Sequence, residues 1–477
     1  MAFTDLFRRR RQPQPSDRPL ARARFEAAER GDDYRHWAGA DAFSADKALS
    51  PEKRRVMRNR ARFERANNSY LAGISATLAY DLVGTGPRLQ LDIGASEAAR
   101  EVEEAFYDWG TLVDLPAKLR TMREALVTDG EAFALMINNP RLPGVQLDLR
   151  LLEAEMVATP TELMRQTIDA EGNTVDGLEF DDVGNVIAYQ VLNFHPGSNY
   201  RVNNLQFQRV PANQMVHWLR VQRPGQNRGM PEVAPALRLF GQLRRYTEAV
   251  IAAAETAADF AAVLFTDAPA NGEAQALEPM DVVELEKRMA TVLPDGWRLG
   301  QIEAQQPATG YAEFKREILN EIARCLNLPY NIAACNSSGY NYASGRLDHQ
   351  TYYKSIRVEQ AHLAEAVLDR IFAVWIDEAM LTSELAVLRS VRGVPHQWFF
   401  DGTEHVDPAK EANAQAIRLA SNTTTLAAEY ARQGKDWEVE LHQRAKEVTL
   451  MAELGLTDGQ VQPIEDDEES EADRAVA

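Results

Sequence analysis

One uninterrupted amphipathic stretch restricts this chain's fold more than any other feature. Across residues 235–265 there is a single glycine, Gly241, and no proline after Pro235; Phe240, Leu243, Tyr246, Val250, Ala254, Ala257 and Ala261 recur every three or four positions. Apolar residues at that spacing line one face of an α-helix. About 30 residues at 1.5 Å each make a rod of roughly 45 Å. Alanines at 249, 252–254, 257, 258, 261 and 262 let a neighbouring helix approach closely, while Arg244, Arg245, Glu248, Glu255 and Asp259 keep the other faces wet. Such a rod suits the core of a large bundle as well as an assembly of several chains, and the pattern alone does not choose.

The flanking sequence gives the rod a context. Residues 267–310 read as a small insert with a loop, a short helix "MDVVELEKRM" and the strand-like "GWRLGQIE". A second helix over 311–328 stops at Pro329. A long helix, a compact excursion and a returning helix make a hairpin that carries a tip. Upstream, 52–82 predicts one or two helices that break near Gly84, Gly86 and Pro87, and 97–109 and 117–127 predict two more. "GEAFALMI", "VQLDLRLLEAEMV" and "NQMVHWLRV" read as strands, and 177–192 as a hairpin turning at Asp182, Gly184 and Asn185. The first half is therefore α+β with mostly antiparallel strands. Downstream, 349–380 predicts a helix and 396–401 a short strand; a helical tail follows, capped by Asp407 ahead of Pro408 and broken at Gly434.

Composition narrows the chemistry. With 52 Lys and Arg against 71 Asp and Glu, the formal charge is −19. That argues against a protein that coats nucleic acid with a basic face, though not against a channel that lets it pass. Cys325 and Cys335 are the only cysteines, which excludes a disulfide framework or a cysteine-rich zinc site and fits a reducing compartment. No apolar run approaches the roughly 18–20 residues that span a bilayer. The arginines near the N-terminus follow a very short apolar stretch, the reverse of a secretory signal, so an intracellular protein without a membrane partner is expected. The basic arm over 8–24 and the acidic "EDDEES" at 465–470 read as flexible ends.

Neither a Walker loop nor an HExxH or GxSxG motif is present, and the eight histidines never fall three to five apart. "TDGEAF" at 128–133, "GSNYRVNN" and "GQNRG" read as turns. No catalytic residue, metal ligand or cofactor is assigned. The stretch "RCLNLPYNIAACNSSGYNYASGRLDHQTYYK" at 324–354 joins an apolar helix end to a tyrosine-spotted polar loop and then to another amphipathic helix. Cys335 would act as a nucleophile only if His349 folded back on it. What the loop offers instead is a set of hydroxyls, amides and rings from Asn336, Ser337, Ser338, Tyr340, Asn341 and Tyr342. Many weak, interchangeable contacts suit sliding better than gripping.

Several of these segments, in order over most of 50–400, resemble the lambda-type portal proteins of tailed bacteriophages. They are "RARFERANNSYLAGISATLAYDLVGTGPRLQ", "TDGEAFALM", "GLEFDDVGNVIAYQV", "VPANQMVHWLRVQRPGQNRGMPEVAPAL" and "YAEFKREILNEIARCLNLPYNIAACNSSGYNYASGR". The ending "NYASGR" is similar to the family's Asn-Tyr-Ser-Ser-Ala-Arg pattern, with Gly345 where the family usually has alanine. The resemblance implies an α+β portal fold with wing, two-helix stem, α/β clip, tunnel loop and helical crown, assembled as a homo-oligomeric ring of about twelve subunits. On that plan 1–40 is a flexible arm, 41–230 the wing, 231–262 and 311–328 the stem helices, and 263–310 the clip. The tunnel loop is 329–347, the returning wing helix and strand 348–400, the crown 401–457 and the acidic tail 458–477. Leu243, Tyr246, Val250, Ala254, Ala257 and Ala261 then pack between subunits. Asn336, Ser337, Ser338, Tyr340, Asn341, Tyr342 and Arg346 face the DNA channel, and Glu284, Glu286, Lys287 and Arg288 on the clip dock a motor or connector.

The implied function is non-enzymatic: a channel at one capsid vertex through which double-stranded DNA is packaged and later ejected without sequence specificity. Its implied partners are the terminase large subunit, the major capsid or scaffolding protein and the head–tail connector. The place is the virion, with the host cytoplasm during assembly. Two other readings stay open, a metal-dependent DNA-processing enzyme using the scattered carboxylates and an oligomeric intracellular scaffold.

Overall fold

A central strand buried on both faces organises the chain. The computed structural model describes residues 36–92, 97–159, 174–198, 206–259, 263–266, 297–300, 308–382, 393, 395–402 and 408–456. Residues 1–35 of the expected N-terminal arm, the "MDVVELEKRM" helix, Asp407 and the acidic tail lie outside them.

The first half begins with helices α1 (Ala45–Ala48), α2 (Pro51–Asn67) and α3 (Ser69–Val83). The expected single or double helix is double because Asn68 leaves the helical conformation and its side chain accepts hydrogen bonds from the Tyr70 and Leu71 N–H groups, capping α3. Gly84, at φ 57°, ends α3. Strand β1 (Arg88–Leu91) and helices α4 (Glu97–Leu112) and α5 (Leu115–Thr128) follow. Next come β2 (Glu131–Asn138), β3 (Leu147–Leu152), β4 (Thr174–Val175), β5 (Leu178–Phe180), β6 (Val186–Leu192), β7 (Phe207–Pro211) and β8 (Met215–Leu219). They form two antiparallel sheets, in the orders β3-β2-β8 and β4-β5-β6-β7.

Strand β2 lies at the centre of the first sheet. Ala132, Ala134 and Met136 face the helices and join the main core, while Phe133 and Leu135 face the second sheet with Leu178, Tyr189, Val191 and Val210. Burial on both faces explains why its sequence is apolar throughout instead of alternating.

The second half contributes α6 (Leu237–Asp259), β9 (Val263–Thr266), β10 (Trp297–Gly300), α7 (Ala308–Cys325), α8 (Tyr330–Ala333), α9 (Tyr342–Leu363) and α10 (Asp369–Ala379). A five-residue π-helical stretch, Ala364–Leu368, joins α9 to α10. Strand β11 (His396–Phe399) pairs antiparallel with β1, and α11 (Pro408–Ala420), α12 (Leu426–Arg432) and α13 (Trp437–Glu453) complete the chain. Gly434 separates α12 from α13 at φ 72°.

Three expected boundaries change. The long helix does not reach residue 265: Val263–Thr266 is a strand paired with Trp297–Gly300, as suits a β-branched and aromatic segment that finds a partner. The returning helix starts at Ala308, inside the expected clip. Helix α9 starts at Tyr342 and so takes up the end of the expected tunnel loop.

One aromatic cluster locks the two halves together. Phe106 of α4 meets the ring of Phe372 edge-on at 5.6 Å and that of Trp375 at 5.1 Å, both on α10, and lies 5.5 Å from Trp398 of β11. Edge-to-face pairs add to the burial of apolar area. Phe106→Ala is expected to cost about 3–5 kcal/mol, read as a lowered urea midpoint.

Candidate functional site

The polar loop is built on a buried base. After α7 the chain turns through Asn327, at φ 56°, and seats Leu328 and Asn331 in the interior. Asn331 Nδ2 lies 3.0 Å from His349 Nε2 of α9. Tyr352, also buried on α9, donates its hydroxyl proton to Asp81 Oδ2 of α3 at 2.7 Å, and Gln360 Nε2 reaches Leu82 O at 3.3 Å. The far end of the loop is thereby fixed to α3 and its near end to α9.

Between these supports, Cys335, Asn336, Ser337, Ser338 and Gly339 are exposed, and Tyr340 is half-buried. Asn336 Oδ1 accepts from Ser338 N at 2.9 Å, an Asx-type turn that shapes the tip. Asn341 departs from its expected role: its side chain accepts from Ser344 N at 2.8 Å while Ser344 Oγ accepts from Asn341 N. This reciprocal capping box starts α9, so Gly345 in the first turn does not delay the helix. Tyr342 is the first residue of α9, and Arg346 is exposed one turn further on. The seven loop residues named from sequence thus divide into a tip at Asn336, Ser337, Ser338 and Tyr340, a cap at Asn341 and a helix start at Tyr342 and Arg346. His349 Nε2, the group that Cys335 would need as a base, lies instead 3.0 Å from Asn331 Nδ2.

The two long helices pass from a buried part to an exposed one. Phe240 and Leu243 of α6 join Leu319, Ile322 and Ala323 of α7 in the main core. Leu243 is therefore a residue of the subunit's own interior and not of an outer face. Tyr246 sits 4.5 Å from Phe314 and 5.8 Å from Tyr311 between ring centroids, and Thr247 Oγ1 is 3.1 Å from the Tyr311 hydroxyl oxygen. Beyond it Val250 is half-buried, and Ile251 and Ala254 are exposed. Ala257 lies on α6 near its end, whereas Ala261 and the charged residues Glu284, Glu286, Lys287 and Arg288 fall outside the described residues.

A buried ion cluster escaped sequence reasoning. "TDGEAF" and "GQNRG", each read as a turn, meet inside the protein. Arg228, 1% exposed, places Nε 3.0 Å and Nη2 2.7 Å from the Glu131 carboxylate. Its remaining N–H groups donate to the backbone oxygens of Val157, Asp176 and Ala154. Glu131 also accepts from Gly229 N at 2.8 Å and lies 3.3 Å from His217 Nε2. Arg58 of α2 reaches Glu131 at 3.4 Å, and Arg54 pairs with Asp176. Burial alone would raise the Glu131 carboxyl, but Arg228 and the His217 hydrogen bond hold it well below the usual carboxylate range. Burial pushes His217 below its ordinary 6.5 despite the adjacent Glu131.

The rest of the turn is fixed in the same manner. Gln226 Oε1 accepts from Gln222 N at 2.9 Å, Asn227 Nδ2 donates to Asp46 at 2.7 Å, and Glu232 accepts from Arg123 at 2.9 Å. The available signal was a pair of glycines each beside a charged residue, Gly130 before Glu131 and Gly229 after Arg228. A Cβ on Gly130 would come within 2.1 Å of the Met230 backbone, and one on Gly229 within 2.2 Å of Gly130 O.

Among the described residues one group could supply metal ligands, Glu153, Glu155 and His195, whose ligand atoms lie within 4.8 Å of one another. Arg62 already pairs with both carboxylates, at 3.2 and 2.9 Å. Gly197 N donates to His195 Nδ1 at 3.0 Å, and His195 Nε2 lies 3.2 Å from Glu153 Oε2. A cation there would have to displace both arrangements. No helix among the described residues is long and apolar enough to cross a membrane.

The architecture is that of a mixed α+β subunit with a projecting helix pair and a polar loop anchored on buried elements. Residues 30–360 match the family described as phage portal protein, lambda family, and the chain belongs to that family. The probable portal protein of Halomonas phage phiHAP-1 is 25% identical over 450 residues, covering 88% of this chain and 85% of that protein. Among solved structures, the neck of a native gene transfer agent particle computed with C12 symmetry aligns with 79% of this chain and 94% of its own, at 12% identity and a TM-score of 0.44. An HK97 family phage portal protein from Corynebacterium diphtheriae aligns with 74% of this chain and 97% of its own, at 13% identity and a TM-score of 0.28.

Two outcomes follow from the cluster. Arg228→Ala leaves Glu131 buried and short of its main partner, and is expected to cost about 3–5 kcal/mol in chemical denaturation. Between about pH 8 and 5.5 His217 removes stability as the pH falls, because it takes up its proton only on unfolding, while Glu103, pushed up to about 7 by burial, gains its proton in the folded protein and acts in the opposite direction. Glu131 is ionised in both states there and loses its contribution only as the pH falls below 4.5. His217→Gln is expected to remove the His217 contribution from the slope of the urea midpoint between those two pH values, and so to shift the balance toward greater stability at the lower one.

Proposed function

We propose that this portal protein assembles with copies of itself into a ring of about twelve subunits that encloses a channel for double-stranded DNA at one capsid vertex. On this reading α6 and α7 form the stem, residues 263–300 belong to the clip, and α11 to α13 form the crown. The terminase large subunit drives DNA inward, the head–tail connector attaches afterwards, and the major capsid or scaffolding protein surrounds the ring during assembly in the host cytoplasm. The charged residues Glu284, Glu286, Lys287 and Arg288 are the proposed docking positions for motor or connector.

The observation that carries this reading is the composition of the loop tip set against the rigidity of its base. A passing duplex presents phosphates continuously, and every cation that neutralises one releases counterions and deepens binding. Asn336, Ser337, Ser338 and Tyr340 offer hydroxyl and amide contacts without charge, and Arg346 stands at the edge as the one cation of the set. A chain of net charge −19 adds general repulsion to the walls. Contacts of this kind guide DNA without trapping it.

Deleting residues 337–339 while keeping the Asn341 cap tests the role. Rings are expected to assemble normally, and packaged DNA, measured as nuclease-protected DNA in a packaging reaction, is expected to fall sharply. Wild-type protection in that deletion would contradict the role given to the loop.

A further inference from the structure

Helix α2 carries two sets of basic residues with different fates. Arg54, Arg58 and Arg62 face inward and are paired with Asp176, Glu131, Asp129 and Glu155. Arg55 and Arg60 are exposed and have no carboxylate partner among the described residues. On the same outward face stand Val56, 44% exposed, and Phe63, 56% exposed, one i,i+7 step apart. Beside Phe63, whose ring carries the Arg244 guanidinium at 5.4 Å, a cavity of about 530 Å³ opens between α2 and the start of α6; Met57, Ala234 and Leu237 line it with Asn59, Arg60 and Arg238, and the one carboxylate on its wall, Glu64, is neutralised by Arg244 at 2.7 Å. It is an apolar hollow with a basic rim.

Helix α4 presents the complement. Glu101, Glu104 and Asp108 are exposed along one side and have no basic partner among the described residues. Tyr107, 60% exposed, and Leu112, 57% exposed, stand among them. This is an aromatic knob with an acidic collar. Single exposed apolar side chains are ordinary; a knob and a hollow ringed by opposite charges are the pattern of an interface anchor.

We propose that the α4 face of one copy docks on the α2–α6 groove of the next, with Tyr107 in the hollow and Glu101 and Glu104 against Arg55 and Arg60. The two surfaces share no residue, because α4 packs on β1 and α5 while the groove lies between α2 and α6. The contact is therefore head-to-tail, the kind that closes into a ring when its rotation permits. The basic face is assigned to a protein partner rather than to DNA because phosphates give no reason to expose Val56 and Phe63 among the cations. The inference rests on the ring reading above and adds the residues that join one subunit to the next.

Charge reversal and rescue test it on the full chain. Sedimentation velocity and mass photometry would compare the wild type with Arg55→Glu/Arg60→Glu, Glu101→Arg/Glu104→Arg and the four-fold combination. All four positions are exposed, so thermal unfolding is expected to stay at the wild-type temperature. Each double reversal is expected to remain monomeric where the wild type forms rings, and the four-fold swap to restore them. Rings in either double reversal, or no rings in a folded four-fold swap, would overturn the contact. So would a basic-face reversal that leaves rings intact but abolishes binding of a short DNA duplex, which would give that face to nucleic acid. A wild type that stays monomeric, with every variant like it, would instead bring down the ring reading on which the contact stands.

Discussion

A carboxylate with no exposure to water cannot stay ionised unless its surroundings replace every interaction that water provided. Glu131 is in that position, and three separate segments meet to satisfy it: α2 through Arg58, β8 through His217, and the turn before α6 through both Arg228 and the Gly229 N–H, around the first residue of β2. Each partner has few alternatives, since Arg228 also spends its remaining donors on three backbone oxygens. Such a network is worth having only when complete. The two glycines beside it let the backbones approach closely enough to complete it. The consequence reaches beyond the cluster, because the turn it fixes leads directly into α6.

From that anchor the chain grades from buried to exposed. Helix α6 starts in the main core at Phe240 and Leu243, passes an aromatic contact at Tyr246, and leaves Ile251 to Ala254 exposed. Helix α7 returns to the same core at Leu319 and Ile322 and delivers the loop, whose far end is held by the Asn341 cap and the Tyr352–Asp81 hydrogen bond. A rigid base with a small, uncharged, exposed tip is what a surface must be if it is to touch a long polyanion repeatedly and release it. Function on this account resides in what the fold leaves outside its cores, and stability in what it ties down.

Much of the fold was legible because periodicity reports burial. The hairpin at 177–192 and the strands β2 and β8 appear as read, β3 keeps only Leu147–Leu152 of its expected length because Ala154–Met156 turns into a short 3-10 helix, and α3 stops at the glycine expected to end it. Ends of elements were less legible. Val263 to Phe265 continue an apolar run that suits a helix as well as a strand, and only the partner strand Trp297–Gly300, far along the sequence, decides. The site was legible as composition but not as geometry: the amide of Asn341 serves the backbone as a cap. Leu243, which the resemblance assigns to packing between subunits, faces inward because α7 covers that turn of α6. The ion cluster was not legible at all, since its members lie at 54, 58, 131, 176, 217 and 228 and no local pattern relates them. Family membership supplied what single residues did not, the expectation of many copies around a channel.

The proposed function depends on paired rods standing beside copies of themselves around an opening that admits a duplex. Single-particle electron microscopy of the purified full-length chain tests this most directly. The account predicts closed rings in which α6 and α7 surround a central hole with residues 336–340 at its narrowest point. A population of single subunits at high concentration, or a closed assembly whose rods lie away from any opening, would contradict it.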